Sequence, residues 1–332
     1  MNTKTTNAAS KGRTLQLAHN PIVAFGKENL GILIGLLVLC ALLSFFSPVF
    51  LSKNNILNVL RQVATNLYIA CAMTMVIILG GIDLSVGSTI ALSGVITGGF
   101  IAFEGLPLWV AVLCGLLAGV VVGAFNGFLI SKTTIPPFIV TLSTMNIARG
   151  ASYVYTGGQP IRVMSDSFNF IGAGYIGDIP MPIIYLVIIV IISVLIMSKS
   201  KLGRHIYAVG GNPVAARFSG IKNSRVLFFA YLFSGIMSAI AGIVLASRMF
   251  SGQPTAGQGA EMDAIAAVVL GGTSMSGGVG KIGGTVIGAL IIGVLSNGLN
   301  LLGINSFWQY IVKGVVILIA VYVDFLKKGK GK

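Results

Sequence analysis

Long apolar runs with few charges alternate along this chain with short polar connectors. Ten runs can be marked out, at about 30–50, 57–79, 84–103, 107–131, 136–156, 181–198, 226–250, 260–272, 282–302 and 304–325. At roughly 1.5 Å rise per residue, most are long enough to cross a hydrocarbon core of about 30 Å once short flanks are added. The pattern predicts an all-α, polytopic protein of about ten transmembrane helices with short loops. Ser47-Pro48 closes the first run, Pro136-Pro137 opens the fifth, and Pro180 and Pro182 open the sixth. The eighth is short, ends in glycine and carries Glu261 and Asp263 at its start.

The connector between the sixth and seventh runs differs from the rest. Ser198 through Arg225 holds six of the 22 basic residues and no acid. Ala208-Val209-Gly210-Gly211-Asn212-Pro213 reads as turn chemistry, paired glycines followed by an Asn-Pro step that resists helix. Pro213 suits the first turn of a helix, and Val214–Ser219 then forms a short one ended by Gly220. Such a helix is too short and polar to span a membrane. It fits a solvated loop, or a small knob on which a soluble partner docks.

Composition agrees with the pattern. Hydrophobic residues make up 55% of the chain and charged residues 9%, against about 25% charged in soluble domains. The 44 glycines suit a bundle whose helices approach closely. The net charge of +14 raises the question of nucleic acid, but the cations are spread over short loops with no aromatic platform, so no nucleic-acid partner is expected. With the N-terminus inside, 16 basic residues fall on the inner side and five on the outer, and Lys313 lies within the last span. Glu104, Asp166, Asp178, Glu261 and Asp263 lie outside or near it. Both termini and the basic island are therefore expected to be cytoplasmic. The division is a cytoplasmic, disordered tail at 1–27, a membrane domain at 28–326 whose cytoplasmic loop is 199–225, and a basic cytoplasmic tail at 327–332.

The chain offers little for catalysis. Cys40, Cys71 and Cys114 sit singly inside spans, without metal or redox spacing. Two histidines, His19 and His205, make no triad or metal site. Gly-x-Gly-x-x-Gly occurs at 172–177 and 278–283 without the strand a dinucleotide site requires. Gly280-Lys281 lacks the rest of a phosphate loop. Neither a catalytic residue nor a metal ligand is assigned, and any ATP must be used by another chain. Asp83, Glu261 and Asp263 are placed near span ends, which argues against an intramembrane proton relay. Uncharged polar residues are commoner within spans, among them Asn66, Ser85, Thr141, Ser143, Asn146, Asn297 and Asn300. They suit either helix–helix hydrogen bonding or the lining of a path for a neutral polyhydroxylated solute. The outer segment 157–180 fits a plain loop, a cap over the mouth or a contact for an external partner. Gly80-Gly81-Ile82-Asp83-Leu84-Ser85-Val86-Gly87 and Gly271-Gly272-Thr273-Ser274-Met275-Ser276-Gly277-Gly278 share G-G-x-x-x-S-x-G, a hint of an internal repeat.

Four stretches resemble a known family. They are Gly81–Gly87; Leu202-Gly203-Arg204 through Ala208–Asn212 to Ala215-Ala216 and Ser219-Gly220-Ile221; Glu261–Gly272; and Asn297-Gly298-Leu299 with Trp308–Gly314. The sequence is similar here to the permease subunits of bacterial ribose, galactose and related sugar ATP-binding-cassette importers. The resemblance spans about residues 28–326. It implies a multi-pass protein of the bacterial inner membrane that moves a monosaccharide and binds no cofactor itself. It also implies a second permease copy, a cytosolic ATP-binding subunit using ATP and magnesium, and an extracytoplasmic sugar-binding protein. The ATPase would contact Gly203, Arg204, Gly210, Gly211, Asn212, Ala215, Ala216, Ser219 and Gly220. Asp83 of the Asp-Leu-Ser signature would tie a backbone break near the inner side. Glu261 and Asp263 would brace the outer gate or meet the binding protein. A stand-alone secondary sugar carrier and a branched-chain amino-acid permease are the alternative readings.

Overall fold

The computed structural model describes residues 29–329. The tail at 1–27, with Lys4, Lys11, Arg13 and Lys27, lies outside the described residues, as does the end of the basic tail at 330–332. Each of the ten apolar runs contains a helix. In chain order they are α1 (Leu30–Phe46), α2 (Lys53–Ile78), α3 (Val86–Ala102), α4 (Leu108–Lys132), α5 (Pro137–Thr156), α7 (Met181–Lys199), α10 (Asn223–Arg248), α11 (Ala260–Leu270), α12 (Ile282–Leu301) and α13 (Ser306–Gly329). Between them lie α6 (Asp166–Ala173), α8 (Lys201–Gly211) and α9 (Pro213–Phe218). Among the described residues five helices, α2, α4, α7, α10 and α12, are long and apolar enough to cross a membrane by length and composition.

Local chemistry sets the helix ends. The Ser52 hydroxyl accepts from Asn55 N–H at 3.3 Å and starts α2. Pro137 and Pro182 occupy first-turn positions of α5 and α7. At the other end of α2, Gly80 takes φ +79, Gly81 N–H donates to Val76 C=O and Gly80 N–H to Ile77 C=O. Helix α11 ends in the same way: Gly272 has φ +83, with Thr273 N–H on Val268 C=O and Gly272 N–H on Val269 C=O. Both are Schellman closures. The left-handed glycines therefore pair Gly80 with Gly272, one position away from the pairing the shared G-G-x-x-x-S-x-G motif suggests.

Helices α2 and α10 form the centre. Helix α10 packs on α4, α3, α2 and α6, and α2 packs on α7, α12 and α11. From Leu67 to Ile78 every residue of α2 is buried, so this stretch has no solvent face to make it amphipathic. Helices α4 and α10 approach backbone to backbone along Gly119, Gly123 and Gly127, while Gly115 lies against Ser93 and Thr97 of α3. A Cβ on Gly123 would stand 2.7 Å from Tyr231 O, and one on Gly127 2.8 Å from Phe228 O. The outward faces of α1, α4, α7 and α13 are apolar and uncovered, with Phe45 84% exposed and Leu318 70%. A surface this apolar belongs in lipid or against another chain.

One end of the bundle carries the basic helices α8 and α9. The other carries a long-range two-stranded ladder, β1 (Ile161–Arg162) antiparallel with β4 (Ser251–Gly252), and a short hairpin, β2 (Tyr175–Ile176) with β3 (Ile179–Pro180). The segment 157–180 is thus built rather than plain loop. Phe168 of α6 is fully buried, and the Ser247 hydroxyl clips α6 to α10 by donating to Phe168 C=O and accepting from Gly172 N–H, each at 2.6 Å. Exposed Lys53 and Asp178 pair at 2.8 Å beside the β2–β3 hairpin.

Two helices begin inside the bundle. Helix α3 starts at Val86 and runs to the hairpin end, where Gly98 lies against Val163 and Gly252. Helix α11 starts at Ala260 and runs to the basic end, where Gly271 lies against Gly284. Their N-termini meet so closely that a Cβ on Gly87 would overlap Gly257 O and Glu261 Oε2, and one on Gly257 would lie 2.5 Å from Gly87 O. Gly257 also requires its left-handed φ of +68.

Candidate functional site

Three polar regions punctuate the apolar bundle. At the basic end, Ser200 caps α8 by accepting from Gly203 N–H at 3.0 Å. Gly203 leaves no room for a side chain beside Met197 C=O, which permits the sharp turn from α7 into α8. Arg204 is exposed and donates to Lys199 C=O at 3.3 Å. Gly210 and Gly211 are the last residues of α8 rather than part of a turn. Packing explains why helix wins over local propensity. A Cβ on Gly210 would overlap Ile78 O and stand 2.9 Å from Gly278 N, so only glycine lets α8 seat on the end of α2. Gly211, next along, has open space around it.

The break comes at Asn212, whose side chain accepts from Ala215 N–H at 3.0 Å and caps α9. Pro213 sits at the first position, the Ser219 hydroxyl donates to Ala215 C=O at 3.0 Å, and Gly220 ends the motif at φ +81. Ala216 is buried and Ala215 exposed, while Phe218 stands 88% exposed and Val214 64%. The Tyr207 hydroxyl donates to Gly280 C=O and Gly278 N–H to Ile78 C=O, at 2.7 and 2.8 Å. Burial pushes the Tyr207 phenol up, so it stays a neutral donor. Helix α8 is thereby fastened both to the end of α2 and to the loop joining α11 to α12.

The second region surrounds Asp83, in the segment 79–85 between α2 and α3. Its Oδ1 accepts from Ser85 N–H and the Ser85 hydroxyl, at 3.0 and 2.6 Å, and its Oδ2 from the Ser234 hydroxyl at 2.7 Å. Asn126 Nδ2 donates to the Ser85 hydroxyl at 2.9 Å, and the Thr141 hydroxyl to Ile82 C=O at 3.1 Å. The break is thus tied to α10, α4 and α5 at once. The Tyr231 hydroxyl and Asn126 Oδ1 are buried with no hydrogen-bond partner among the described residues. Neither Asp83 nor Ser85 faces solvent.

The third lies between α2, α11 and α13. Asp263 Oδ2 meets Lys313 Nζ at 2.8 Å and Asn66 Nδ2 at 3.4 Å. Since Asn66 is in the middle of α2, Asp263 lies opposite the middle of a long helix, not near a span end as the pattern suggested. Local sequence could not show this, because the depth of α11 depends on how the chain before it re-enters the bundle. Arg149 of α5 is half-buried and donates to Pro254 C=O and Ala256 C=O at 2.6 and 2.8 Å. It holds the re-entering segment 253–259 and lies within electrostatic reach of Glu261. A cavity of about 330 Å³ beside Asp263 is lined by Gln258, Met262, Gln309, Tyr310 and Lys313.

Among the other candidates, Asn297 and Asn55 exchange amide hydrogen bonds of 2.9 and 3.1 Å in a buried α2–α12 contact. Asn300 accepts from Gln309 at 2.7 Å. Ser143 and Asn146 are exposed and bond back to Ile139 C=O and Leu142 C=O, at 2.9 and 3.1 Å.

The family described as branched-chain amino acid transport system / permease component matches residues 55–321. The chain belongs to this permease family. It is 51% identical over 299 residues to the ribose import permease protein of Bacillus subtilis (strain 168), covering 90% of this chain and 92% of the relative. Over 295 residues it is 46% identical to the ribose import permease protein of Haemophilus influenzae, covering 88% and 91%. Over 307 residues it is 40% identical to the L-arabinose transport system permease protein of Escherichia coli (strain K12), covering 92% and 93%. No solved structure matches it. The permease is a transporter component and a multi-pass protein of the bacterial inner membrane.

The permease contains functional candidates that local patterns did not mark. Ser234 and Tyr231 read as ordinary α10 residues, and Tyr207 as part of a solvated loop. Only Arg149, a cation between apolar neighbours, carried a usable signal, since such a charge in a span needs an internal partner.

Proposed function

We propose that this permease is the membrane subunit of an ATP-binding-cassette importer that moves ribose or a closely related monosaccharide. What carries the reading is the 51% identity to a ribose import permease across 90% of this chain and 92% of the relative. The family description mentions branched-chain amino acids, but the chain is also 34% and 40% identical to permeases named for xylose and L-arabinose transport, so the description does not favour that cargo.

The charge distribution supports ten crossings with both termini and the α8–α9 end in the cytoplasm. ATP and magnesium are used by a separate cytosolic subunit, a binding protein delivers sugar at the hairpin end, and a second permease copy completes the pathway. Helix α9 is the docking knob, offering Val214 and Phe218 to the ATPase. A push on α9 passes into α8, and from there through the Gly210–Ile78 seat and the Tyr207–Gly280 bond into α2 and the α11–α12 loop. The Asp83 node sets the position of the break that must move when the pathway switches sides. Its three accepted bonds cost little to keep but much to half-remove in a buried site.

The test is co-purification with the cognate ATP-binding subunit, comparing wild type with Phe218→Asp and with a Gly211→Arg, Ala215→Asp double variant. Each variant is first shown to insert and melt like wild type. Capture by wild type and its loss in both variants is the expected result. Capture unchanged in both removes α9 from the interface. If wild type captures no ATPase yet moves sugar in proteoliposomes, the protein is a stand-alone carrier.

A further inference from the structure

We propose that Asp263 and Lys313, with Asn66, form a sugar-contacting subsite within the permease. This rests on the sugar-importer reading above and goes beyond it, because it names the groups the cargo touches in transit.

The first observation is spare hydrogen-bonding capacity. All contacts of the Asp263 carboxylate fall on Oδ2, from Lys313 at 2.8 Å and Asn66 at 3.4 Å. Among the described residues no donor reaches Oδ1. The Lys313 ammonium has three protons and, among the described residues, makes one hydrogen bond, to Asp263. Both side chains are about one-fifth exposed, at 20% and 21%, and both line the cavity of about 330 Å³. A charged pair at this depth with open valences is costly unless something polar visits it.

The second observation is a polar stripe that leads to the pair. Asn54, Asn58 and Gln62 recur every four residues on α2, all exposed, and the row continues into Asn66. Amides on that face of a spanning helix cannot border lipid cheaply. The stripe starts at the hairpin end and stops where Asn66 meets Asp263.

The chemistry suits a neutral polyol. A carboxylate accepts from two adjacent hydroxyls of a pyranose or furanose, while an ammonium donates to a hydroxyl or the ring oxygen. The pair carries no net charge, so it holds a sugar without trapping an ion. Tyr310 also lines the cavity, adding an aromatic side chain of the kind that packs on the C–H side of a sugar ring.

A purely structural ion pair has a different signature, because a buried pair exchanged for packed apolar residues keeps its clamp. The experiment uses the full importer with its ATPase and binding protein in proteoliposomes, reading ribose moved per ATP hydrolysed at saturating loaded binding protein. The variants are Asp263→Asn with Lys313→Gln, which retains a hydrogen bond between the helices, and Asp263→Leu with Lys313→Leu, which retains a packed contact. We expect both to keep ATPase stimulation by the loaded binding protein. Ribose per ATP should fall about tenfold or more, the effect of losing a hydrogen bond to a charged group. Wild-type transport in either variant shows the pair to be a clamp only and overturns the proposal while leaving the importer reading intact. If wild type moves leucine and not ribose, the cargo reading has failed and the sugar subsite falls with it.

Discussion

Replacing Gly210 by alanine tests whether α8 is mechanically seated on α2. The new Cβ would overlap Ile78 O and lie 2.9 Å from Ile78 C and Gly278 N, all of them backbone atoms. No side chain can swing aside, so α8 has to withdraw by about 1 Å to restore ordinary contact. That shift strains the Gly278 N–H to Ile78 C=O bond and the Tyr207 to Gly280 bond, now 2.8 and 2.7 Å. Overpacking costs roughly 1–3 kcal/mol, and two weakened hydrogen bonds add about 1 kcal/mol each. Alanine returns about 1 kcal/mol through its better helix propensity. The net expectation is a loss of about 2–4 kcal/mol at this joint.

Gly211 supplies the control. It is also helical, but nothing stands within 4 Å of its Cβ position. Gly211→Ala should leave the joint alone and gain about 0.5–1 kcal/mol. The assay is ATP hydrolysis and sugar uptake by the reconstituted importer. Gly210→Ala should keep ATPase binding, since α9 is untouched, yet transport at a small fraction of the wild-type rate per ATP. Gly211→Ala should transport normally. Equal behaviour of the two variants, whether both active or both inactive, would refute the reasoning.

Two further outcomes are expected. Gly123→Ala should lower the melting temperature of the detergent-solubilised protein, because its Cβ would stand 2.7 Å from Tyr231 O and 3.0 Å from the Gly235 Cα, at a cost of roughly 1–3 kcal/mol; Gly35→Ala, with open space around it, should be neutral or stabilising in the same scan. At the hairpin end, the hydrogen bond and charge of Lys53 hold the Asp178 carboxyl below its ordinary value. A depressed carboxylate stabilises above its unfolded pKa and loses that contribution as pH falls through the folded value, so hydrogen-exchange protection at 174–181, corrected for the intrinsic rate at each pH, should drop only below about pH 4, and a small part of it should already be lost at neutral pH in Lys53→Met, because an exposed pair contributes little.

Much of the helical architecture was legible because its signals are local. Apolar runs, Pro137, Pro182, the Asn212-Pro213 step and Gly220 act through their immediate neighbours, and the helices begin and end near them. The short helix of the basic island was legible for the same reason, since α9 owes its shape to Asn212, Pro213 and Gly220. What was not legible depends on partners far away in sequence. Gly210 and Gly211 look like a turn, and only the approach of Ile78, more than a hundred residues earlier, makes them helix. Asp263 looks like a span-end acid until Asn66 and Lys313 are placed beside it.

The depth of Asp263 follows from one architectural fact. Helices α3 and α11 both start inside the bundle and run to opposite ends, and each adjoins a Schellman closure, at Gly80 before α3 and at Gly272 after α11. An interior start places the positive end of each helix where hydrocarbon would otherwise be. It also leaves backbone groups in need of partners. The permease meets that need differently on the two sides: Ser85 and Asp83 beside α3, and Glu261, Asp263 and the Arg149 clamp beside α11. A carboxylate near each interior N-terminus is favoured by the helix dipole, so these acids are tolerable at a depth where isolated acids are not. The two sides then diverge in use. Asp83 is buried and both its oxygens are engaged, by three accepted bonds in all. Asp263 has one oxygen engaged and a cavity beside it. Of two related breaks, the closed one is built to hold a position and the open one to receive a passing solute.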